Sequence, residues 1–236
     1  DFCLSRGLGD VYKRQALSPE AFVEQVLVEQ LQARRIAVGD NFRFGAGRSG
    51  DAEALQRIAT GFGVEVMVLP MLWDGPERVS SSRIRRALAA GDITEAQRLL
   101  ERPYRFSGEV VQGRGLGRQL GWPTANLQVD GRKCLPLEGV YAAWAWIEAA
   151  QAKHSSPLPA VMNLGPQPTV DPDAPSAVEV HLLDGHHELV GRTLRVEPTA
   201  LLRRQQRFDS VEALSAQIGR DAERARQLLS SPDRHG

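Results

Sequence analysis

A glycine-rich run, Gly113-Arg114-Gly115-Leu116-Gly117-Arg118-Gln119-Leu120-Gly121, leads directly into Trp122-Pro123-Thr124-Ala125-Asn126. Glycines at 113, 115, 117 and 121 let a backbone approach phosphate closely and offer it N–H donors, with Arg114 and Arg118 as charge partners among them. Thr124 and Asn126 are two residues apart, so in a locally extended segment both project to one face. A hydroxyl and a carboxamide oxygen are hard, neutral ligands. They suit a Mg²⁺ that keeps several waters and takes the rest of its shell from nucleotide phosphates. The same run also spells a Gly-rich hairpin with a Pro turn and a left-handed Asn. Further on, Glu179 alternates with Val178 and Val180 as the one acid on an otherwise apolar strand. Its carboxylate therefore faces either solvent or a functional cavity. His181 lies on the same strand face, where it either orients that acid or serves the structure alone.

A second group lies in the first half of the chain. Val38-Gly39-Asp40-Asn41-Phe42-Arg43-Phe44-Gly45-Ala46-Gly47-Arg48-Ser49-Gly50-Asp51 forms a Gly-rich loop, and Ser80-Ser81-Ser82-Arg83-Ile84-Arg85 a helix start. Ser81, Ser82 and Arg85 there offer phosphates the unpaired N–H groups of a first turn and a guanidinium; without the Asn41–Gly50 segment upstream, they read as a Ser-rich cap on a basic helix. The lysines are Lys13, Lys133 and Lys153, and none follows glycines in the G-x-x-x-x-G-K-[ST] arrangement, which excludes an ordinary P-loop.

The elements that must position these residues change character along the chain. Residues 1–15 carry no initiating Met and no periodicity. They resemble translated read-through at a broken gene end and are expected to be non-native. Ser18-Pro19-Glu20 starts a helix, with Phe22, Val26, Leu27 and Leu31 at helical spacing. Ile36–Val38 reads as a strand, residues 39–50 as a loop, 51–62 as a helix and 64–69 as a strand. Helices over 83–90 and about 93–100 follow. This alternation argues for an α/β layer, with too few strands for a complete domain. From Arg102-Pro103 the text switches to short strands at 106–111, 126–129, 140–147, 160–164, 178–183 and 194–198, with no helix between them, as in an antiparallel barrel or sandwich. Gln151 to Pro159 reads as a hairpin loop, and His186-His187 as a solvated turn. Trp144 and Trp146 are expected to be packing residues. The chain closes with an amphipathic helix, capped by Asp209 and Glu212 and buried through Val211, Leu214, Ile218, Ala225 and Leu228.

The 236 residues suffice for two modest domains. With 29 basic and 29 acidic residues, no global field favours nucleic acid or an anionic membrane. No apolar run approaches a membrane span, and Cys3 and Cys134 make neither a metal spacing nor a disulfide framework. A reducing, cytoplasmic setting is the expectation.

The run Gly121-Trp122-Pro123-Thr124-Ala125-Asn126-Leu127 resembles the hallmark of riboflavin kinases. So do Gly139-Val140-Tyr141, Met162-Asn163-Leu164-Gly165 with Pro168-Thr169, Val178-Glu179-Val180-His181-Leu182, and Leu202-Arg203 leading to Phe208. The resemblance implies a six-stranded antiparallel barrel with a C-terminal helix over residues 102–230, before a tail at 231–236. It further implies that Thr124 and Asn126 hold the Mg²⁺ of MgATP, that the Gly113–Gly121 loop closes over the phosphates, and that Glu179 is the general base on the riboflavin 5′-hydroxyl. Asn163 and Arg203 are flavin contacts on the same reading, with a surface ion pair the alternative for Arg203. ATP is the co-substrate and FMN the product.

Residues 16–101 resemble the C-terminal part of the Rossmann-like FMN adenylyltransferase domain that precedes the kinase in bacterial bifunctional enzymes, with Asn41, Phe42, Arg43, Gly45, Ser81, Ser82 and Arg85 as its site residues. Asn41 stands where that family often has Asp. The opening Gly-x-Phe-Asp-Gly-x-His-x-Gly-His of that domain has no match in the chain. Conversion of FMN to FAD is therefore expected of a full-length parent and not of this polypeptide. A non-catalytic flavin- or nucleotide-binding module is the alternative from another functional class.

Overall fold

The computed structural model describes residues 17–113, 115–119, 121–148, 156–165, 177–185 and 187–230. The expectations for residues 1–15, Arg114, Pro168-Thr169, His186, most of the 151–159 loop and the 231–236 tail lie outside the described residues. The chain divides into two compact units, Asp1–Val79 and Ser80–Gly236.

In the first unit, the Ser18 hydroxyl accepts from the Ala21 N–H at 3.2 Å and starts α1 (Pro19–Ala21). The helix continues as a π-helical stretch, Phe22–Gln30, which buries Val23 and Val26. Val23 thus takes the inward place expected of Leu31, which ends the helix 39% exposed. Strands β1 (Arg35–Gly39) and β4 (Glu65–Leu69) pair in parallel, with Val38 opposite Val68. Residues 39–50 are more than a loop: β2 (Arg43–Phe44) and β3 (Gly50–Asp51) form an antiparallel hairpin around a 3₁₀ turn at Ala46–Arg48. Asp51 caps α2 (Ala52–Thr60) by accepting from the Ala54 N–H at 2.8 Å. A second small hairpin joins β5 (Trp73–Asp74) to β6 (Glu77–Arg78). Val23, Phe44, Leu55, Ala59 and Val64 form the core of this unit.

The second unit opens with two helices. Ser80 caps α3 (Ser81–Ala90) and Asp92 caps α4 (Ile93–Leu100), each accepting from an N–H of the first turn. Six strands then close into an antiparallel barrel, in the order β10-β11-β8-β7-β12-β9. They are β7 (Phe106–Val111), β8 (Ala125–Val129), β9 (Gly139–Glu148), β10 (Leu158–Gly165), β11 (Ala177–Leu182) and β12 (Thr193–Arg203). Period-two alternation fills the interior with Phe106, Val110, Leu127, Met162, Val178, Val180 and Leu194. Ala87, Leu88, Ile93 and Ala96 of the two helices bury in that same cluster. The unit that holds the barrel therefore begins at Ser80, although the sequence pattern changes only at Arg102. A one-turn helix, α5 (Leu116–Gln119), interrupts the strands where none was expected.

Strand β9 is buried on both faces, which explains its unbroken apolar text. Its outward Val140 and Ala142, with Val161 and Leu183, carry the C-terminal helix α6 (Val211–Leu229) through Ala222, Ala225 and Leu229. The cap of α6 is Ser210, not the expected Asp209, because the Ser210 hydroxyl is the group that reaches the Ala213 N–H, at 3.1 Å. The buried stripe is shifted too. Val211 is 55% exposed, and small Ala222 and Ala225 let the helix approach Ala142 closely. Burial pushes the Tyr104 and Tyr141 hydroxyls up to about 12. Each donates to a backbone carbonyl, of Cys134 and Leu137 respectively.

Candidate active site

Three neighbouring strands bring the chemistry together. The β8–β11 register sets Asn126 opposite Glu179, and the β10–β11 register sets Glu179 opposite Asn163. Since Ala125, Leu127, Val178, Val180, Met162 and Leu164 point into the barrel core, the alternate residues Asn126, Glu179 and Asn163 form a polar row across its outer face. The Asn163 Nδ2 donates to Glu179 Oε2 at 3.4 Å. Gln205, in the segment after β12, donates from Nε2 to Asn163 Oδ1 at 2.8 Å and to the Leu164 carbonyl at 2.9 Å. Sequence reasoning missed Gln205: it sits outside any regular element and no local signal marks it.

The glycine loop lies directly on this row. A Cβ at Gly113 would fall 2.0 Å from Asn126 Nδ2, and one at Gly117 would fall 2.4 Å from the Trp122 carbonyl and 3.1 Å from Thr124 Oγ1. Only glycine lets the backbone come this close to both expected metal-binding side chains. Gly115 and Gly121 have φ of 72° and 79°, and Arg118 is exposed on α5. A cleft of about 520 Å³ opens beside Gln112, Gly113, Asn126 and Val178.

His181 does not orient the acid. Its Nδ1 meets the Pro123 carbonyl at 2.7 Å, and its ring takes the edge of Trp122 at 5.3 Å between centroids and 78° between planes. Arg203 binds Asp221 on α6, with Nε and Nη2 both 2.9 Å from Oδ2, and stacks over Phe208 at 5.5 Å. A carboxylate only 6% exposed requires such a partner, and Gln217 Nε2 satisfies its other oxygen at 2.8 Å. Trp146 is buried, with Arg105 and Arg195 at 4.9 and 5.2 Å from its ring, while Trp144 packs with the α6 cluster. Both tryptophans are packing residues, as expected.

The other group of expected site residues is divided between the units. Phe42 packs against the first unit's core and stacks on Phe44 at 5.6 Å. Asn41 and Arg43 are exposed, and Gly45, at φ 73°, backs onto Pro19. Ser81, Ser82 and Arg85 are exposed on the first turns of α3, in the second unit.

Among the described residues no cluster of three His, Cys, Asp or Glu side chains provides an all-protein metal cage. No described helix is long and apolar enough to cross a membrane.

Comparison with known proteins bears on the family and the fold. The riboflavin kinase family matches residues 100–229, and the FAD synthetase family matches residues 12–83. A bifunctional riboflavin kinase/FMN adenylyltransferase from Pseudomonas fluorescens is 43% identical over 223 residues, covering 94% of this chain and 68% of the relative. Its counterpart from Escherichia coli (strain K12) is 40% identical over 214 residues, covering 91% of this chain and 66% of the relative. A solved structure described as a macrolide-efflux protein from Streptococcus pneumoniae superposes with a TM-score of 0.72 at 30% identity, covering 91% of this chain and 66% of that one. The chain thus spans about two thirds of the length of these proteins. With a closed six-stranded barrel, a C-terminal helix and the riboflavin kinase match over more than half its length, the chain belongs to the riboflavin kinase family.

Proposed function

We propose that the barrel unit transfers the γ-phosphoryl group of ATP to the 5′-hydroxyl of riboflavin, giving FMN and ADP. The observation that carries this reading is the row Asn126–Glu179–Asn163, set by strand register and roofed by Gly113 and Gly117. Glu179 accepts the hydroxyl proton as the riboflavin oxygen attacks the γ-phosphorus, and the bond from that phosphorus to the ADP oxygen breaks. Asn163 holds one carboxylate oxygen of Glu179 through its amide, leaving the other for the substrate. The N–H groups of the glycine loop and the Arg118 guanidinium face the phosphates. Phosphoryl transfer needs little covalent help, so positioning and electrostatics supply most of the rate, and the base adds roughly 10²–10⁴-fold.

Thr124 and Asn126 fit a Mg²⁺ that completes its shell with water and phosphate. They are two neutral oxygen ligands, and no acidic cage lies among the described residues. When bound, that ion neutralises charge on the phosphate oxygens. Arg203 is already committed to Asp221, so the structure favours the ion-pair role over direct flavin contact. We place the reaction in the cytoplasm, and we assign adenylylation of FMN to FAD to the bifunctional riboflavin kinase/FMN adenylyltransferases that this chain resembles.

Incubating the protein with riboflavin and MgATP and resolving the flavins chromatographically tests the proposal. FMN is the expected product; its absence overturns the kinase reading. FMN supplied with MgATP is expected to yield no FAD.

A further inference from the structure

The β8–β11 ladder stops one pair short of Thr124. Its partners are Val178–Leu127, Glu179–Asn126 and Val180–Ala125, so continuing the register would set His181 opposite Thr124. The chain has left the strand by then, and Pro123 has no N–H to give. In place of a ladder bond, the His181 side chain reaches the Pro123 carbonyl at 2.7 Å. That oxygen can only accept, so Nδ1 carries the hydrogen in the neutral and the protonated ring alike.

Trp122 makes the neighbouring contacts. It lies edge-on to the imidazole at 5.3 Å, and its Nε1–H donates to Ser215 Oγ on α6 at 3.3 Å. A Cβ at Gly219, one turn along α6, would meet its ring at 3.6 Å, an ordinary packing distance. On the loop side, the Trp122 N–H donates to the Gly117 carbonyl at 2.8 Å. Residues 122–124 are thus gripped between the glycine loop on one side and β11 with α6 on the other.

We propose that His181 is a positioning residue. By binding the Pro123 carbonyl it extends the grip of β11 past the last ladder pair and holds Thr124 in line with Asn126 and Glu179, so that MgATP meets a preformed pair of oxygen ligands. This rests on the kinase reading for the role of Thr124, while the latch itself is a feature of the protein. It predicts a defect in MgATP binding that leaves riboflavin binding unaffected.

Two variants separate this role from packing. His181→Phe keeps a ring against Trp122 and loses the donor. His181→Asn loses the ring but places an amide nitrogen near the position of Nδ1. Calorimetric titration with MgATP, and separately with ATP in chelator, reads the latch without turnover. We expect His181→Phe to weaken MgATP about five- to tenfold, the cost of one hydrogen bond. Its KM for riboflavin and its melting temperature should stay near wild type, its affinity for metal-free ATP should be unchanged, and His181→Asn should recover most of the loss. Unchanged MgATP affinity in His181→Phe, or equal loss in both variants, overturns the proposal. Wild type that binds MgATP but makes no FMN overturns the kinase reading and leaves the latch to be judged on affinity. Wild type that binds no MgATP overturns both.

Discussion

The two units solve the problem of presenting polar residues differently. In the barrel every strand is hydrogen-bonded on both sides, so the register that pairs backbones also fixes which side chains are neighbours. Asn126, Glu179 and Asn163 are adjacent because three strands cannot slip without turning their apolar faces outward. The first unit has a parallel sheet of two strands. Its outer face leaves Met67 57% and Leu69 47% exposed, and Trp73 nearby is 62% exposed, although parallel sheets are ordinarily covered on both sides. Its motif residues Asn41, Phe42, Arg43 and Gly45 sit on and beside a hairpin of two-residue strands, and one of them, Phe42, is used as packing. A site on a closed ladder is held by the whole fold; one on a short hairpin is held by its own turn.

The sharpest way to break this contrast is to change one atom of the ladder site. Glu179→Gln keeps the volume and the Asn163 neighbour but removes the proposed base. FMN formation should fall by roughly 10²–10⁴-fold, with riboflavin binding retained by flavin fluorescence titration. Met67→Ala, on the exposed face of the first unit, should leave FMN formation unaltered. Unchanged turnover in Glu179→Gln would remove its assignment as base.

A smaller effect is expected on stability. Met162 is fully buried in the barrel and Met67 is mostly exposed, each in the middle of a strand. Met162→Ala should cost ~2–5 kcal/mol in the unfolding of the barrel unit. Met67→Ala should cost no more than ~0.5 kcal/mol. Urea titration followed by tryptophan fluorescence measures both, through Trp122, Trp144 and Trp146 in the barrel unit and Trp73 in the first, and equal costs at the two sites would show that the first unit buries its outer face in solution.

Much of the ladder was legible in the sequence because it is written locally. Val178-Glu179-Val180-His181-Leu182 alternates in the period of a strand, and the structure buries its three apolar members. Asn126 on β8 alternates with the buried Ala125 and Leu127 in the same way, while Thr124 precedes the strand. What local pattern cannot encode is which strands meet. The Asn126–Glu179–Asn163 row depends on pairings across 53 and 16 residues of sequence, and Gln205 enters it from a segment with no periodicity at all. The bond from His181 to Pro123 was equally hidden, since it replaces a ladder bond rather than making one. The tie between the barrel and the two helices before it was not legible either. Helices α3 and α4 look like a continuation of the α/β pattern, and only their burial of Ala87, Leu88, Ile93 and Ala96 against the barrel shows where they belong.

The smallest expected effect compares ion pairs. Arg35 and Glu65 pair at 2.8 Å across β1 and β4 with side chains 85% and 62% exposed, and such a pair contributes ~0–1 kcal/mol. In the second unit Glu95 binds Arg98 at 2.8 Å and Arg83 at 2.7 Å, with Arg83 only 16% exposed. The Arg98 hydrogen bond, with help from Arg83, holds the Glu95 carboxyl below its usual 4.5. A carboxylate lowered in the folded state binds its proton more readily when unfolded. The stability it contributes is therefore fully present above about 4.5 and is lost as pH falls through the folded value. Melting temperatures recorded from pH 6 downward should fall less steeply for Glu95→Gln than for wild type in that acid window, while the two slopes agree above it. Parallel slopes throughout would mean that Arg83 and Arg98 hold Glu95 no better than Arg35 holds Glu65.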